Sequence, residues 1–357
     1  MKKYNLAYFY DKVHSRKAPF PFCAQVELTY RCSLDCIHCY CKGSECEEEE
    51  LTTGEFKRIF DEIHSEGCLW LALTGGEPLI REDFLEIYAY AKEKGFIISI
   101  FTNGQLFNSR MIDFLTKAPP HSIEITLNGI TEATYEKITQ VKGSLPKVME
   151  NINALAARKL PVVIKTNLLR QNKDELARIK SWAESVSAPF KYDPLVYPRL
   201  NKDTTPCKHR LSYEDMVEAI RQDEDMLQQY QDDLHKTMPD FQRDCGYLYH
   251  CDSWLTQFFI NPYGRLKVCL FSDKFSVNLR EKPFSEAFYK TIPGILNEKF
   301  KTRSKCRSCD LRPICYWCPA RAYLETGCEE APVKYYCQSA KAILEEVKKA
   351  SYEIPAL

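Results

Sequence analysis

From residue 23 to about 197, short apolar runs of strand length alternate with longer amphipathic stretches. The runs stand at 23–30 (CAQVELTY), 68–74 (CLWLALT), 96–102 (FIISIFT), 121–128 (HSIEITLN), 161–167 (PVVIKTN) and 189–197 (PFKYDPLVY). Between most of them the apolar residues take helical spacing, as at 53–66, 82–94 and 172–185. Thr52–Thr53 ahead of Glu55, and Asn172 ahead of Asp174–Glu175, read as helix starts. A short polar side chain there can satisfy the free N–H groups of a first turn. Six strand–helix units in a row predict an α/β fold whose parallel sheet is open or closed into a partial (β/α)6 TIM-like barrel over 23–197. Sites in such sheets lie at the C-terminal ends of the strands.

Beyond 197 the pattern changes. Residues 198–244 read as a polar, helical connection, and 245–340 as a small cysteine-rich domain with few long regular segments. The remainder is an N-terminal extension, 1–22, and a C-terminal tail, 341–357. No internal repeat or low-complexity tract stands out, and EEEE at 47–50 reads as a solvated loop.

Charge removes some classes of partner. Lys plus Arg equals Asp plus Glu at 49 each, so no global field points to nucleic acid or membrane. The N-terminus breaks its apolar residues with charges and is not a secretory signal. The longest apolar runs, such as FIISIF at 96–101, fall far short of a spanning helix. A cytoplasmic location is expected, where thiols stay reduced. Seventeen cysteines then point to metal ligation, and their odd number leaves at least one unpaired in any disulfide scheme.

Cys32, Cys36 and Cys39 stand as C-x3-C-x2-C directly after the first strand, hence at the end of the sheet where sites form. A structural zinc site wants four ligands, usually as two close pairs. A ferredoxin-type cluster wants four thiolates. Three thiolates leave one iron of a [4Fe–4S] cluster without a protein ligand, able to bind and reduce a small molecule. Cys41 is a further candidate ligand, although C-x-C spacing reaches one cluster awkwardly. Zinc or a fully ligated cluster is the alternative.

With an aromatic residue, Tyr40, beside its last cysteine, this pattern resembles the signature of radical S-adenosylmethionine (SAM) enzymes. The resemblance implies that the open iron is chelated by the methionine moiety, and that electron transfer releases a 5′-deoxyadenosyl radical. Other strand ends agree. LTGGEP at 73–78 closes the second strand; Gly75 and Gly76 let backbone approach a ligand, and Glu77 would accept from the ammonium group. FTNG at 101–104 brings Asn103 to the same rim, and ITLNG at 125–129 brings Thr126 and Asn128. The family often has serine and aspartate in that last segment, near the ribose; Asn128 keeps hydrogen-bonding capacity but loses the charge.

A second cysteine set carries its own pattern. Cys251, Gly264 and Cys269 are spaced C-x12-G-x4-C, followed by Cys306-x2-Cys309-x5-Cys315-x2-Cys318 and Cys337. This resembles the SPASM extension, which binds two auxiliary [4Fe–4S] clusters; the family usually has three residues where two separate Cys315 from Cys318. Two cubanes need eight thiolates, and Cys245 can complete the set. The resemblance assigns Cys245, Cys251, Cys269 and Cys318 to a nearer cluster, and Cys306, Cys309, Cys315 and Cys337 to a farther one, with Cys328 a competitor. A zinc ribbon is the alternative for KCRSCDLRPICYWC. Cys23 and Cys68 read as buried hydrophobes, Cys207 as incidental, and His38 as a loop-shaping residue.

Enzymes resembling this two-part arrangement mostly act on peptides or proteins, making crosslinks, thioethers or dehydrogenated residues. Sulfatase maturation is disfavoured because Leu270, not an aspartate, follows Cys269. Only 22 residues precede the first strand, so leader recognition is expected from a separate protein or another surface. An electron donor such as flavodoxin or ferredoxin is implied. Small-molecule chemistry and a purely electron-transferring role are the alternatives.

Overall fold

The computed structural model describes residues 19–46, 48–235, 246–249, 251 and 255–352. Six parallel strands form its spine: β1 (Cys23–Glu27), β2 (Trp70–Thr74), β3 (Ile97–Thr102), β4 (Ser122–Thr126), β5 (Val162–Asn167) and β6 (Phe190–Asp193). The connecting helices are α1 (Thr53–Ser65), α2 (Phe84–Glu93), α3 (Ser109–Lys117), α4 (Glu132–Thr139), α5 (Ser144–Ala157) and α6 (Leu176–Ser185). The expected six strand–helix units are therefore present, with two helices between β4 and β5.

Alternation along the strands divides the two faces. Val26, Leu71, Leu73, Ile98, Ile100, Ile123, Ile125 and Ile164 are buried in the main apolar core. The intervening Gln25, Phe101, Glu124, Thr126, Lys165 and Asn167 line a cavity. One apolar face and one largely polar face is the period-2 pattern of a strand with a core on one side only.

Thr52 caps α1 as its spacing implied. Its hydroxyl accepts from Glu55 N at 3.3 Å, and Glu55 accepts from Thr52 N at 2.8 Å. Asn172 behaves differently. Its side chain makes no cap to the short 3₁₀ turn Lys173–Glu175 that precedes α6. Instead Asn172 Oδ1 accepts from Leu169 N, and its Nδ2 donates to the carbonyls of Asn128 and Asn167. Fully buried, it ties the loops after β4 and β5 together.

The sheet does not stop at β1. β7 (Gln257–Ile260) lies parallel beside β1, and β8 (Arg265–Lys267) and β9 (Val277–Asn278) follow antiparallel. The order is β6-β5-β4-β3-β2-β1-β7-β8-β9 in one nine-stranded sheet. Phe258 of β7 packs on Phe284 and Phe288 at centroid distances of 4.8 and 5.7 Å.

The polar connection contributes α7 (Tyr213–Arg221) and α8 (Glu224–His235), and α9 is Phe284–Leu296. Then come α10 (Pro319–Thr326) and α11 (Lys334–Tyr352). Met216, Ile220, Tyr230, Ala340 and Ile343 make a second apolar cluster joining α7, α8 and α11. Arg210 fastens the connection to α10: its two Nη atoms donate to Glu325 at 2.9 and 2.6 Å, and its Nε to Val196 O at 2.8 Å. Among the described residues no helix is long and apolar enough to cross a membrane.

The reciprocal cap on α1 yields a stability test. Thr52→Ala leaves first-turn N–H groups unmet and should cost about 1 kcal/mol. The expected result is a lower urea midpoint; an unchanged midpoint would show that solvent replaces the cap at no cost.

Candidate active site: a cysteine-lined cavity at the carboxyl end of the sheet

The loop after β1 is held from two sides. On one side Gly76 N donates to Thr29 O at 2.8 Å and Glu77 N to Arg31 O at 2.9 Å. Gly75 sits at φ +134°, where an added Cβ would meet Thr29 O at 2.2 Å; one on Gly76 would meet Arg31 O and Tyr30 O at 2.5 Å. No other residue allows so close an approach. On the other side Asp35 N and Ile37 N each donate to the end of α4, at Thr139 O and Ile138 O, both at 3.0 Å. Pinned between β2 and α4, the loop presents Cys32, Cys36 and Cys39 to a cavity of about 600 Å³, which Gly75, Gly76, Asn103, Thr126 and Asn128 also line.

Asn103 and Asn128 are oriented by their neighbours. Asn103 Nδ2 donates to Ser33 Oγ at 3.0 Å and points at Cys32 Sγ at 3.6 Å. Asn128 Oδ1 accepts from Asn167 N at 2.9 Å, with its Nδ2 beside His38 Nε2 at 3.4 Å. Tyr40 lines the cavity, and its hydroxyl donates to the buried Glu27 at 3.3 Å.

Glu77 does not line the cavity. Its carboxylate is fully buried, accepting from Thr102 Oγ1 at 2.8 and 2.9 Å, Asn103 N at 2.7 Å and Leu79 N at 3.0 Å. Three donors thus hold both of its oxygens. The side chain braces the loops after β2 and β3, while the glycines before it face the cavity. Burial pushes its carboxyl up to about 7 against those hydrogen bonds.

The thiols suit a metal that brings its own positive charge. Every described cysteine is a free thiol. Burial pushes Cys32 up to about 11 and Cys36 well above the ordinary thiol range, and the three cysteines act on one another. A bound metal would supply the positive charge that thiolates at Cys32 and Cys36 need. Among the described residues no three His, Cys, Asp or Glu side chains converge on one point as a mononuclear zinc site requires. A cubane spreads its thiolates over different irons, so convergence is not required of it. Cys41 Sγ lies 3.4 Å from Cys39 Sγ. Thiols in contact cannot cap separate corners of one cube, so Cys41 competes with Cys39 rather than complementing it.

Several cavity residues escaped the motif reading. Lys165 pairs with Glu124 and lies 3.7 Å over the Phe101 ring. Glu27, fully buried and outside the cavity lining, accepts from Tyr30 and Tyr40, and burial raises it to about 7 although Lys267 opposes the shift. His38, read as shaping the loop, lines the cavity with its Nδ1 buried and unpartnered. Burial lowers it to about 4, so it is a neutral imidazole. The available signal was polar residues at alternate positions inside otherwise apolar strands.

Of the second cysteine set, Cys269 stands two residues after β8, and Cys318 caps α10 with its Sγ accepting from Arg321 N at 3.4 Å. Cys251 acts electrostatically on both. Cys306, Cys309, Cys315 and Cys337 form another mutually interacting group. Cys328 is exposed just past α10. Cys245 lies outside the described residues.

Residues 26–183 match the family model of the radical SAM superfamily. The AdoMet-dependent heme synthase of Methanosarcina barkeri is 27% identical over 332 residues, covering 87% of this chain and 94% of that protein. The PqqA peptide cyclase of Granulibacter bethesdensis is 32% identical over 164 residues, covering 45% of this chain and 44% of the cyclase, so this chain matches less than half of it. Among solved structures, SuiB of Streptococcus suis bound to precursor peptide SuiA has a TM-score of 0.69 at 18% identity, over 92% of this chain and 78% of SuiB. That likeness is one of fold.

The saturated carboxylate gives a test. Glu77→Gln turns one acceptor into a donor facing buried N–H groups, and should destabilise the metal-free protein by about 1–3 kcal/mol. It should also remove a pH dependence. A carboxyl raised from 4.5 to about 7 binds its proton more tightly in the folded state. Its contribution to stability is therefore full below about 4.5 and declines as pH rises to about 7. Thermal melts of metal-free protein across that range check both effects. A variant as stable as the parent, with the same pH slope, would rule out the bracing role.

Proposed function

We propose that this chain, a radical SAM superfamily enzyme working with a [4Fe–4S] cluster and S-adenosylmethionine, oxidatively modifies a side chain of a peptide or protein. The observation that carries the reading is that one cavity is lined both by the first cysteine set and by the residues that directly follow Cys269. Cys32, Cys36 and Cys39 line one part of it, and Leu270 and Phe271, directly after Cys269, line another. A substrate lodged there lies between the two.

Cys32, Cys36 and Cys39 would hold the first cluster; Cys251, Cys269 and Cys318 with Cys245, and Cys306, Cys309, Cys315 and Cys337, would hold two more. Loaded at these residues, the cofactors supply a 5′-deoxyadenosyl radical that takes a hydrogen atom from substrate, and a one-electron outlet afterwards. The chain's own contribution is placement. Gly75 and Gly76 hold the cysteine loop against the sheet. Asn103, Thr126, Asn128 and Tyr40 offer hydrogen-bonding and ring surfaces for S-adenosylmethionine. Lys165 and Glu124 offer a paired cation and anion on the strands below, where a polar substrate group can be oriented.

The peptide class is supported by the cyclase relative and by the fold shared with a peptide-bound enzyme. In this reading reducing equivalents come from a flavodoxin or ferredoxin, and a separate protein presents the leader. A second reading rests on the heme synthase, whose match spans nearly its whole length. There the substrate is a carboxylate-bearing small molecule, and Lys165 and Lys191 in the cavity wall would meet its carboxylates.

Two measurements follow. Replacing Cys32, Cys36 and Cys39 together by alanine should remove about four irons and abolish 5′-deoxyadenosine formation; a triple variant that still makes it would overturn the assignment. Substrate class is read from products. Mass loss or a crosslink in a peptide encoded beside the gene supports the peptide reading. Formation of heme from an iron porphyrin precursor, with no peptide product, would replace it with the second.

A further inference from the structure

Among the described residues, Arg321 is a cation without a paired anion. It stands in α10, three residues after Cys318, partly buried, with Nε shut off from solvent and unpartnered. Its Nη1 donates to Tyr316 O at 3.0 Å. Among the described residues no carboxylate pairs with it. Asp193 acts on it electrostatically, but that carboxyl accepts from Leu195 N and is itself pushed upward by burial. A shielded guanidinium left uncompensated is costly, so a negative charge belongs beside it.

The nearest source is sulfur. The backbone N–H of Arg321 already donates to Cys318 Sγ, and its guanidinium acts on both Cys318 and Cys269. A cubane ligated by four thiolates carries net negative charge, and one more electron makes it more negative. A fixed cation beside its ligand sulfurs favours the reduced form.

The same side chain reaches the cavity wall. Its guanidinium stacks 4.5 Å over Tyr197 and 5.7 Å from Phe271. Tyr197 and Phe271 touch at 4.7 Å, and Phe271 meets Tyr40, next to Cys39, at 6.0 Å. Arg321 thus ends a run of ring contacts that starts at the first cysteine loop.

We infer that Arg321 is the counter-charge of the cluster proposed at Cys251, Cys269 and Cys318, and raises that cluster's reduction potential where it faces the substrate cavity. The inference rests on the proposal that this cluster exists, and the test separates the two.

The experiment uses full-length protein with Cys32, Cys36 and Cys39 replaced by alanine, so that only auxiliary clusters contribute. Iron is counted, and potentials are read by EPR-monitored redox titration. The near-cluster signal is the one lost in Cys269→Ala. The parent should hold about eight irons; a parent without them refutes the functional proposal and the inference with it. Arg321→Gln, which keeps hydrogen-bonding capacity but not charge, should keep the iron and shift the near-cluster signal to more negative potential. Arg321→Lys should stay close to the parent. Arg321→Gln with full iron and the parental potential would overturn the inference. If Arg321→Gln loses iron while Arg321→Lys retains it, the charge is needed to hold the cluster, which supports the inference. Equal loss in both variants would make the role one of packing, and overturn it.

Discussion

The contact on which the site depends is between two stretches of backbone. The loop carrying Cys32, Cys36 and Cys39 lies against the Gly75–Gly76 turn so closely that a single Cβ on either glycine would collide with a carbonyl oxygen. Two backbone hydrogen bonds close that seam. A cubane needs its thiols at separated and fixed points, and a loop free to sample many shapes would lose the ordering entropy each time it bound one. Here that ordering is built into the fold, from β2 on one side and α4 on the other. Glu77 extends the brace inward, engaging Thr102 and Asn103 at the end of β3, and Asn103 in turn reaches Cys32. The strand ends are thereby coupled into one rim.

Much of this was legible in the residue pattern. The apolar runs placed all six barrel strands, because period and length are local properties. The cysteine spacing and the glycine turn marked the rim, because strand order carries each motif to the same end. What was hidden is non-local. Nothing in residues 257–260 says that they pair with 23–26, yet that pairing carries Leu270 and Phe271, directly after Cys269, to the cavity. Glu77 was marked by the GGEP turn; its hold on Thr102 and Asn103, at the end of another strand, was not, because that contact is tertiary. Asn172 marked a helix start correctly but bonds backward to two loops, a partnership only tertiary contact creates. His38 sat inside the motif and still required the cavity to be seen before its position had meaning.

Alternation along the strands also separates two tasks that share the same residues. The helix-facing set, Ile98, Ile100, Ile123 and Ile125 among them, supplies the apolar burial that holds the sheet. The cavity-facing set carries charge and hydrogen bonds, with Lys165 and Glu124 neutralising each other across β4 and β5. Changing the chemistry of the cavity does not require changing the core. A fold of this kind can therefore hold its rim constant while the floor is altered to suit different substrates, which is why similarity in the barrel alone leaves the substrate open.

The two halves of the molecule meet through buried charge as well as through paired strands. Glu27 ends β1, and Lys267 ends β8, each almost wholly removed from water. Lys267 Nζ donates to Leu270 O at 3.0 Å and pairs with Asp273 at 2.9 Å, and its charge acts on Glu27. Glu27 accepts from Tyr40, which sits between Cys39 and Cys41. A polar chain thus runs from the segment after Cys269 to the first cysteine loop, beneath the ring contacts formed by Tyr40, Phe271 and Tyr197. Removing one member leaves a buried charge unmet, so the cost of separating the halves is larger than the apolar contact between them alone would set. The pairing of β1 with β7 sets how the second cysteine set is placed relative to the first, and the buried charges of Glu27 and Lys267 act on each other beside it.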